Sequence, residues 1–193
     1  REVGLVAVGE AADLEGRQRI GTASAFDCVC SGGPEVGITA LANNIHRRER
    51  WTTLPNLILP GTERPCHTQQ EFVRNLDALP EPVYDPEVYR ALRNNRKLKL
   101  FVVEESRGCE NTCNGCPKPN QEGGARAHSG QKIATQMRRI SELHGATAFH
   151  VAGGGVSTAR AAETARAIAD AGRKVVYSRQ GSLPTADGAL LPV

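Results

Sequence analysis

The chain has 193 residues, 39% of them apolar, which is enough for one moderate domain or two small ones with ordinary cores. Its net charge of +3 is spread along the chain without basic blocks, so composition gives no electrostatic footprint for nucleic acid. No apolar run approaches the roughly 20 residues of a membrane-spanning helix, and Arg1-Glu2-Val3 lacks the features of a signal peptide, so the expectation is a cytoplasmic protein without a membrane partner.

In chain order, residues 3–9 and 26–30 read as two short buried strands of a parallel sheet, the first ending at Gly9. The turn Ser31-Gly32-Gly33-Pro34-Glu35 then leads into a helix over 36–45, with Val36, Ile38, Leu41 and Ile45 marking its apolar face. From Trp51 to about Arg96 the pattern breaks: prolines stand at 55, 60, 65, 80, 82 and 86, and the stretch reads as an extended interdomain strap. Leu76 and Leu79, set between prolines, are expected to pin it to a neighbouring surface.

A strand over 98–105 follows and delivers the chain into a cysteine cluster. Beyond the cluster, a helix over 131–144 carries Ile133, Met137, Ile140 and Leu143 on one face and stops at Gly145, with His144 placed as a C-terminal cap. Residues 147–151 form the next strand, ending in Ala152-Gly153-Gly154-Gly155; a helix over 158–171 closes at Gly172, and a strand over 174–177 follows. Strand, helix, strand, helix, strand calls for a parallel sheet with right-handed crossovers, either open or curved into a barrel. The last residues, Ala189-Leu190-Leu191-Pro192-Val193, make neither a polar tail nor a finished helix, and the chain starts without Met; both fit a fragment of something longer.

Three of the six cysteines fall in one eight-residue window, Cys109-Glu-Asn-Thr-Cys113-Asn-Gly-Cys116, unlike the scattered cysteines of a secreted disulfide scaffold. Thiolates are soft ligands for zinc or for iron-sulfur clusters. Three of them leave one position of a four-membered ligand set open, whereas a structural zinc site completes four protein ligands. The zinc alternative recruits a histidine such as His128 or His150. Cys28 and Cys30 share a face of a buried strand and, with isolated Cys66, read as ordinary packing cysteines. Of the adjacent Glu104 and Glu105, only one can face a barrel mouth, and His150 reads as a core or hydrogen-bonded histidine.

The spacing C-x3-C-x2-C at the end of a strand resembles the radical S-adenosylmethionine (SAM) superfamily, and Ser106-Arg107-Gly108-Cys109 matches the usual approach to that motif. Arg126-Ala127-His128-Ser129 lies where many members carry Arg-x-Arg-Ser before the first barrel helix. The resemblance implies an α/β partial barrel in which Cys109, Cys113 and Cys116 hold a four-iron four-sulfur cluster and Gly153, Gly154 and Gly155 receive SAM. It also nominates Gly115, where many members have an aromatic residue, and Arg179, as a partner for the SAM carboxylate. Where many members end the glycine motif in Glu, this chain has Gly155. The implied chemistry is reductive cleavage of SAM to methionine and a 5′-deoxyadenosyl radical, acting on a small-molecule or peptide substrate, with electrons from an external one-electron donor such as flavodoxin or ferredoxin.

Upstream, residues 26–35 resemble the end of the cobalamin-binding domain that precedes many radical SAM domains, where a strand runs into a Gly-Glu-Gly-Glu turn; this chain keeps Gly32 and Glu35 with Gly33 and Pro34 between. Leu76-Asp77-Ala78-Leu79-Pro80 resembles the "LDxLPxP" connection of those proteins. The expected organisation is thus the C-terminal part of a Rossmann-like cobalamin-binding-type domain over 1–50, a strap over 51–97 and the first half of a radical SAM barrel over 98–193. Gly32, Gly33 and Glu35 are nominated for cobalamin, and a cobalamin-dependent methyltransferase is the implied activity. A radical SAM methylthiotransferase, with Cys28, Cys30 and Cys66 on a second cluster, and a non-catalytic zinc-binding interaction module are the alternatives.

Overall fold

The computed structural model describes residues 4–8, 26–61, 64–90, 92, 100–111, 113–116, 122–172 and 174–180. Val3, Gly9, Leu98, Lys99 and the closing 181–193 stretch, all used in the sequence reading, lie outside the described residues. The chain divides into two compact units, Arg1–Arg74 with Gln121–Gly123 and Asn75–Asn120 with Gly124–Val193.

The first unit is built on a four-stranded sheet in the order β1 (Val6–Val8), β2 (Cys28–Cys30), β3 (Leu57–Leu59), β4 (Cys66–His67). β1 and β2 are parallel, with Val6 opposite Cys28, as the two early apolar runs predict. β3 and β4 add antiparallel, with Val29 opposite Ile58 and Ile58 opposite His67. These two strands fall in the first part of the stretch read as a strap. Leu57-Ile58-Leu59 is too short to show a period, and Pro55 and Pro60 bracket the strand without entering its ladder, so the prolines hide it instead of breaking it.

Helix α1 (Pro34–Ala42) starts with proline in its first turn, where the missing N–H costs nothing, and has Glu35 in the same turn. Its buried positions are Gly37 and Leu41; Ile38, expected on the apolar face, is exposed. The difference comes from how near the helix sits to β2. A Cβ at position 37 would lie 2.6 Å from the Cys30 sulfur and 3.0 Å from the Asn56 Cβ. Contact is therefore centred on the glycine, which turns Ile38 outward. Cys28, Leu41, Trp51, Leu57 and Leu59 form the core. Trp51 donates its indole N–H to the Asn44 carbonyl at 3.0 Å, and Arg48 lies 5.0 Å over its ring while pairing with Asp27 at 2.9 Å.

The second unit carries a parallel sheet of β5 (Leu100–Glu104), β8 (Ala148–Ala152) and β9 (Val176–Arg179), in that order. A two-stranded ribbon, β6 (Ser106–Arg107) with β7 (Arg126–Ala127), lies between β5 and the first helix in sequence. Helices α2 (Gly130–His144) and α3 (Thr158–Asp170) make the two crossovers, so strands successive in the βαβαβ pattern are neighbours in space. Phe101, Val103, Phe149, Val151 and Tyr177 alternate onto the face packed with Ile133, Met137, Ile140 and Ile168. Leu100, Val102 and Val176 occupy the opposite face and are exposed.

Both helices begin at serine caps: Ser129 accepts from the Lys132 N–H at 3.2 Å and Ser157 from the Arg160 N–H at 3.4 Å. Gly145, at φ 65°, ends α2 as predicted. Leu143 is not on the buried stripe and is 66% exposed. The stripe Ile133, Met137, Ile140 continues four residues on to His144, whose ring stacks on Phe101 at 5.4 Å. β9 starts two residues later than expected, because its ladder begins at Val176 opposite Ala148.

The latter part of the strap is pinned within this unit. Leu76 is buried, Glu81 pairs with Lys132 at 3.5 Å and Arg139 at 3.2 Å, and the Tyr84 hydroxyl donates to the Val102 carbonyl at 2.9 Å on the outer edge of β5. Among the described residues no helix is long and apolar enough to cross a membrane.

Gly37→Ala is expected to lower the unfolding free energy by about 2 kcal/mol, the usual cost of overpacking, whereas Ile38→Ala leaves it nearly unchanged. Equal effects of the two in urea denaturation would contradict the close approach of α1 to β2.

Candidate metal centre

The cysteine loop is tied at its base. β6 pairs antiparallel with β7, Ser106 opposite Ala127 and Arg107 opposite Arg126, just before Gly108 and Cys109. The β5–β8 ladder extends past the strand proper, with the Glu105 N–H donating to the Ala152 carbonyl at 2.7 Å, and the β6–β7 ribbon is extended by the His128 N–H donating to the Glu105 carbonyl at 2.8 Å.

Acidic side chains secure both limbs. Glu104 receives a bidentate bond from Arg107 at 2.8 and 2.9 Å. Asp77, from the strap, accepts from the Ser129 N–H and from His128 Nδ1, each at 3.0 Å. Partial burial works against ionisation of Asp77, but the bonds from Ser129 and His128 outweigh it and hold the carboxyl below its ordinary 3.8. Glu105 is buried, takes the Thr164 hydroxyl at 3.0 Å and pairs with Arg179 at 2.9 Å. It lies on the helix-covered side of the sheet, so of the two glutamates Glu104 is the one on the open face. Arg179 thus already has a carboxylate partner within the protein, while its Nε is buried with no acceptor.

The glycine turn after β8 lies directly on this loop. A Cβ at Gly153 would collide with Ser106, one at Gly154 with the Gly108 carbonyl, and one at Gly155 would stand 2.6 Å from Asn111 Nδ2 and 3.3 Å from the Cys109 sulfur. Gly153 and Gly154 are therefore required by the close approach of the Ser106 and Gly108 backbone, whereas Gly155 faces the Asn111 and Cys109 side chains. The Ser106 hydroxyl donates to the Gly154 carbonyl at 3.1 Å, and the Glu110 N–H to the Gly155 carbonyl at 3.2 Å. The Cys109 sulfur accepts from the Gly155 N–H at 3.2 Å and the Asn111 N–H at 3.4 Å. Gly115 has φ 79° and open space around it: the turn from Cys113 to Cys116 needs a left-handed residue there, a conformation costly for an aromatic side chain.

None of the six cysteines is in a disulfide; Cys109 is half-buried, and Cys113 and Cys116 are exposed. Among the described residues, no group of three or more His, Cys, Asp and Glu is gathered as for a single metal ion. His128 bonds Asp77 through Nδ1 with its Nε2 4.0 Å from Glu104, and His150 Nδ1 bonds the Ser178 hydroxyl at 3.0 Å; among the described residues neither is gathered with the thiols for a metal ion. Three unpaired thiols on one loop, one already receiving two N–H donors, fit the soft donor set and hydrogen-bonded sulfur of an iron-sulfur centre.

In the first unit, Gly32 (φ 76°) and Gly33 lead into α1, with Glu35 in its first turn, so the three residues nominated for cobalamin share one turn. Asn56, not singled out from the sequence, holds that turn. It is fully buried at φ 61°, donates from Nδ2 to the Gly33 and Glu71 carbonyls at 2.9 and 2.8 Å, and accepts the Glu71 N–H at 2.6 Å. Asparagine is among the few residues that adopt this backbone conformation, and its position between proline and a strand was the available signal. Cys28 and Cys30 are buried in the sheet and Cys66 is exposed on β4. Burial, reinforced by Cys30 and Asp27 against the opposing Arg48, pushes the Cys28 thiol up to about 11. With Cys28 and Cys30 packed inside the sheet and Cys66 exposed on β4, Cys28 stands as a packing group of the first unit's core.

Asn56→Ala strands two carbonyls and an N–H in the interior and is expected to cost about 3 kcal/mol in chemical denaturation; a loss under 1 kcal/mol would contradict the staple. Because the Asp77 carboxyl is depressed when folded, its stabilisation is complete above about 3.8 and disappears as pH falls through the lower folded value. Asp77→Asn should therefore flatten the acid limb of the stability–pH curve, and an unaltered limb would rule out this contribution.

No protein-family model matches this chain, and no curated protein is similar to it in sequence. Solved structures are similar in fold. OxsB, described as a cobalamin-dependent S-adenosylmethionine radical enzyme with aqua-cobalamin and S-adenosylmethionine bound, superposes with a TM-score of 0.69 at 14% identity, covering 89% of this chain and 25% of its own. TsrM from Kitasatospora setae, a radical S-adenosylmethionine methyltransferase with tryptophan substrate and aza-SAM bound, gives a TM-score of 0.57 at 14% identity over 78% of this chain and 30% of its own. A second TsrM structure, with cobalamin and a [4Fe-4S] cluster bound, gives 0.52 at 13% identity. The chain thus spans about a quarter of OxsB and shares the α/β fold of that segment of the cobalamin-dependent SAM radical enzymes.

Proposed function

We propose that this chain is the cluster-bearing part of a radical SAM enzyme of the cobalamin-dependent class, with Cys109, Cys113 and Cys116 as the three thiolate ligands of a four-iron four-sulfur cluster. The observation that carries this reading is the seating of the three-cysteine loop. It leaves the carboxyl end of the first strand of a parallel sheet and is packed closely on the glycine turn at the end of the second, backbone against backbone at Gly153 and Gly154. Ligands of open α/β sheets bind at that end of the strands.

Bound there, such a cluster would supply the electron for reductive cleavage of SAM to methionine and a 5′-deoxyadenosyl radical. The chain's own residues bind and orient. The β6–β7 ribbon and the Glu104–Arg107 pair fix the two limbs of the loop. The Gly155 and Asn111 N–H groups place the Cys109 sulfur, and the left-handed Gly115 turns Cys116 back toward Cys113. The turn 153–155 is the proposed seat of SAM, and Arg179, with its Nε still unpartnered, is the proposed contact for the SAM carboxylate. Gly32, Gly33 and Glu35, on the turn rigidified by Asn56, are the proposed cobalamin contacts. A small-molecule or peptide substrate and an external electron donor of the flavodoxin or ferredoxin kind complete the scheme, with methyl transfer as the proposed outcome.

Anaerobic iron and acid-labile sulfide analysis, with electron paramagnetic resonance spectra of the reduced protein with and without SAM, tests the reading. About four irons and four sulfides and a spectrum that changes with SAM are expected, and Cys113→Ala should lose both together. Zinc without sulfide would make the loop structural instead.

A further inference from the structure

The peptide unit joining Gly154 to Gly155 is gripped at both ends. Its carbonyl accepts the Ser106 hydroxyl at 3.1 Å, and its N–H donates to the Cys109 sulfur at 3.2 Å. Ser106 is itself buried in β6, directly before the cysteine loop, and the absence of a side chain at Gly153 is what lets the turn lie against it. The three groups form a line: hydroxyl to carbonyl, across one amide, N–H to sulfur. Hydrogen bonds in such a line polarise one another, so a donor on the carbonyl strengthens the N–H as a donor at the far end. Each named group has its partner within this unit, and the line is built from a serine, two glycines and a cysteine.

We infer that Ser106 and the Gly154–Gly155 amide form a relay that sets the electron affinity of the metal centre through the Cys109 sulfur; this rests on the cluster assignment above. Ser106 is a positioning residue here, since it acts on the sulfur through the amide. N–H donors to a ligand sulfur offset the charge gained on one-electron reduction and so raise the reduction potential. Among the described residues, the N–H donors to a cluster-loop sulfur go to Cys109, while Cys113 and Cys116 are exposed. The three ligands are therefore unequal. The relay also makes the glycine turn and the cysteine loop one rigid piece, so a displacement of the turn is felt at the sulfur of Cys109.

The test is a dithionite reductive titration of the reconstituted protein without SAM, followed by electron paramagnetic resonance, with iron and sulfide counted in each sample. Gly155→Pro removes the N–H donor, and Ser106→Ala removes the donor to the carbonyl but keeps the N–H. Ser106→Ala is expected to hold the same iron and sulfide as wild type and to reduce at a more negative midpoint; Gly155→Pro, whose ring crowds the Asn111 side chain, is expected to shift the midpoint further in the fraction that holds a cluster. A purely structural role for Ser106 would change cluster content without moving the midpoint of the cluster that remains. Wild-type midpoints in iron-replete variants overturn the inference and leave the cluster assignment standing. If Gly155→Pro fails to fold or to hold iron, the Ser106→Ala midpoint decides alone: a negative shift supports the relay, and an unmoved value overturns it. Wild-type protein that assembles no iron and sulfide overturns the cluster assignment and the inference together.

Discussion

The close seating of the glycine turn on the cysteine loop is the constraint on which the second unit depends. A Cβ at 153 or 154 would run into the backbone of Ser106 or Gly108, and one at 155 would crowd the Asn111 side chain. That contact is possible because β5 and β8 are adjacent parallel strands whose ladder continues to Glu105 and Ala152, bringing both strand ends level. The ribbon β6–β7 then fixes the chain on either side of the cysteine loop. Three consecutive glycines weaken a chain considerably through backbone entropy. Here the cost is offset by hydrogen bonds from Ser106, Glu110 and Gly155 that no bulkier sequence could make.

How much of this was legible in the sequence depends on the length of the signal. The βαβαβ unit was readable because α2 and α3 are long enough for a period to show and both end in glycine. The cysteine spacing and the triple glycine named the site without geometry. What they could not reveal was that each glycine answers to a particular neighbour in the cysteine loop, a fact of tertiary packing. Leu143 was misplaced by one residue because both i+3 and i+4 neighbours fit an apolar stripe; packing on Phe101 selected His144. Arg179 was visible as a cation near the site, but its pairing with Glu105 joins residues 74 apart in the chain, beyond any local pattern.

The first unit shows the opposite balance. Its parallel pair was evident from two apolar runs, yet half of its sheet comes from a proline-bracketed tripeptide and a dipeptide that carry almost no periodic information. Its organising residue is Asn56, which substitutes side-chain amide groups for a stretch of missing ladder and links segments near 33, 56 and 71. A single polar residue with every group satisfied can specify an arrangement that three short apolar strands alone would leave open to slippage.

Tyr84 has a consequence for how the sheet can grow. By donating to the Val102 carbonyl it occupies the outer margin of β5, the strand made first during synthesis, and leaves β9 as the open margin among the described residues. A ribosome releases β5 before β9, so the margin available earliest is sealed by a tyrosine that emerged still earlier. Any further strand is thereby directed to one side, in the order of translation. Polarity of biosynthesis and polarity of the sheet coincide, and a nascent chain paused at this point presents one adhesive border instead of two.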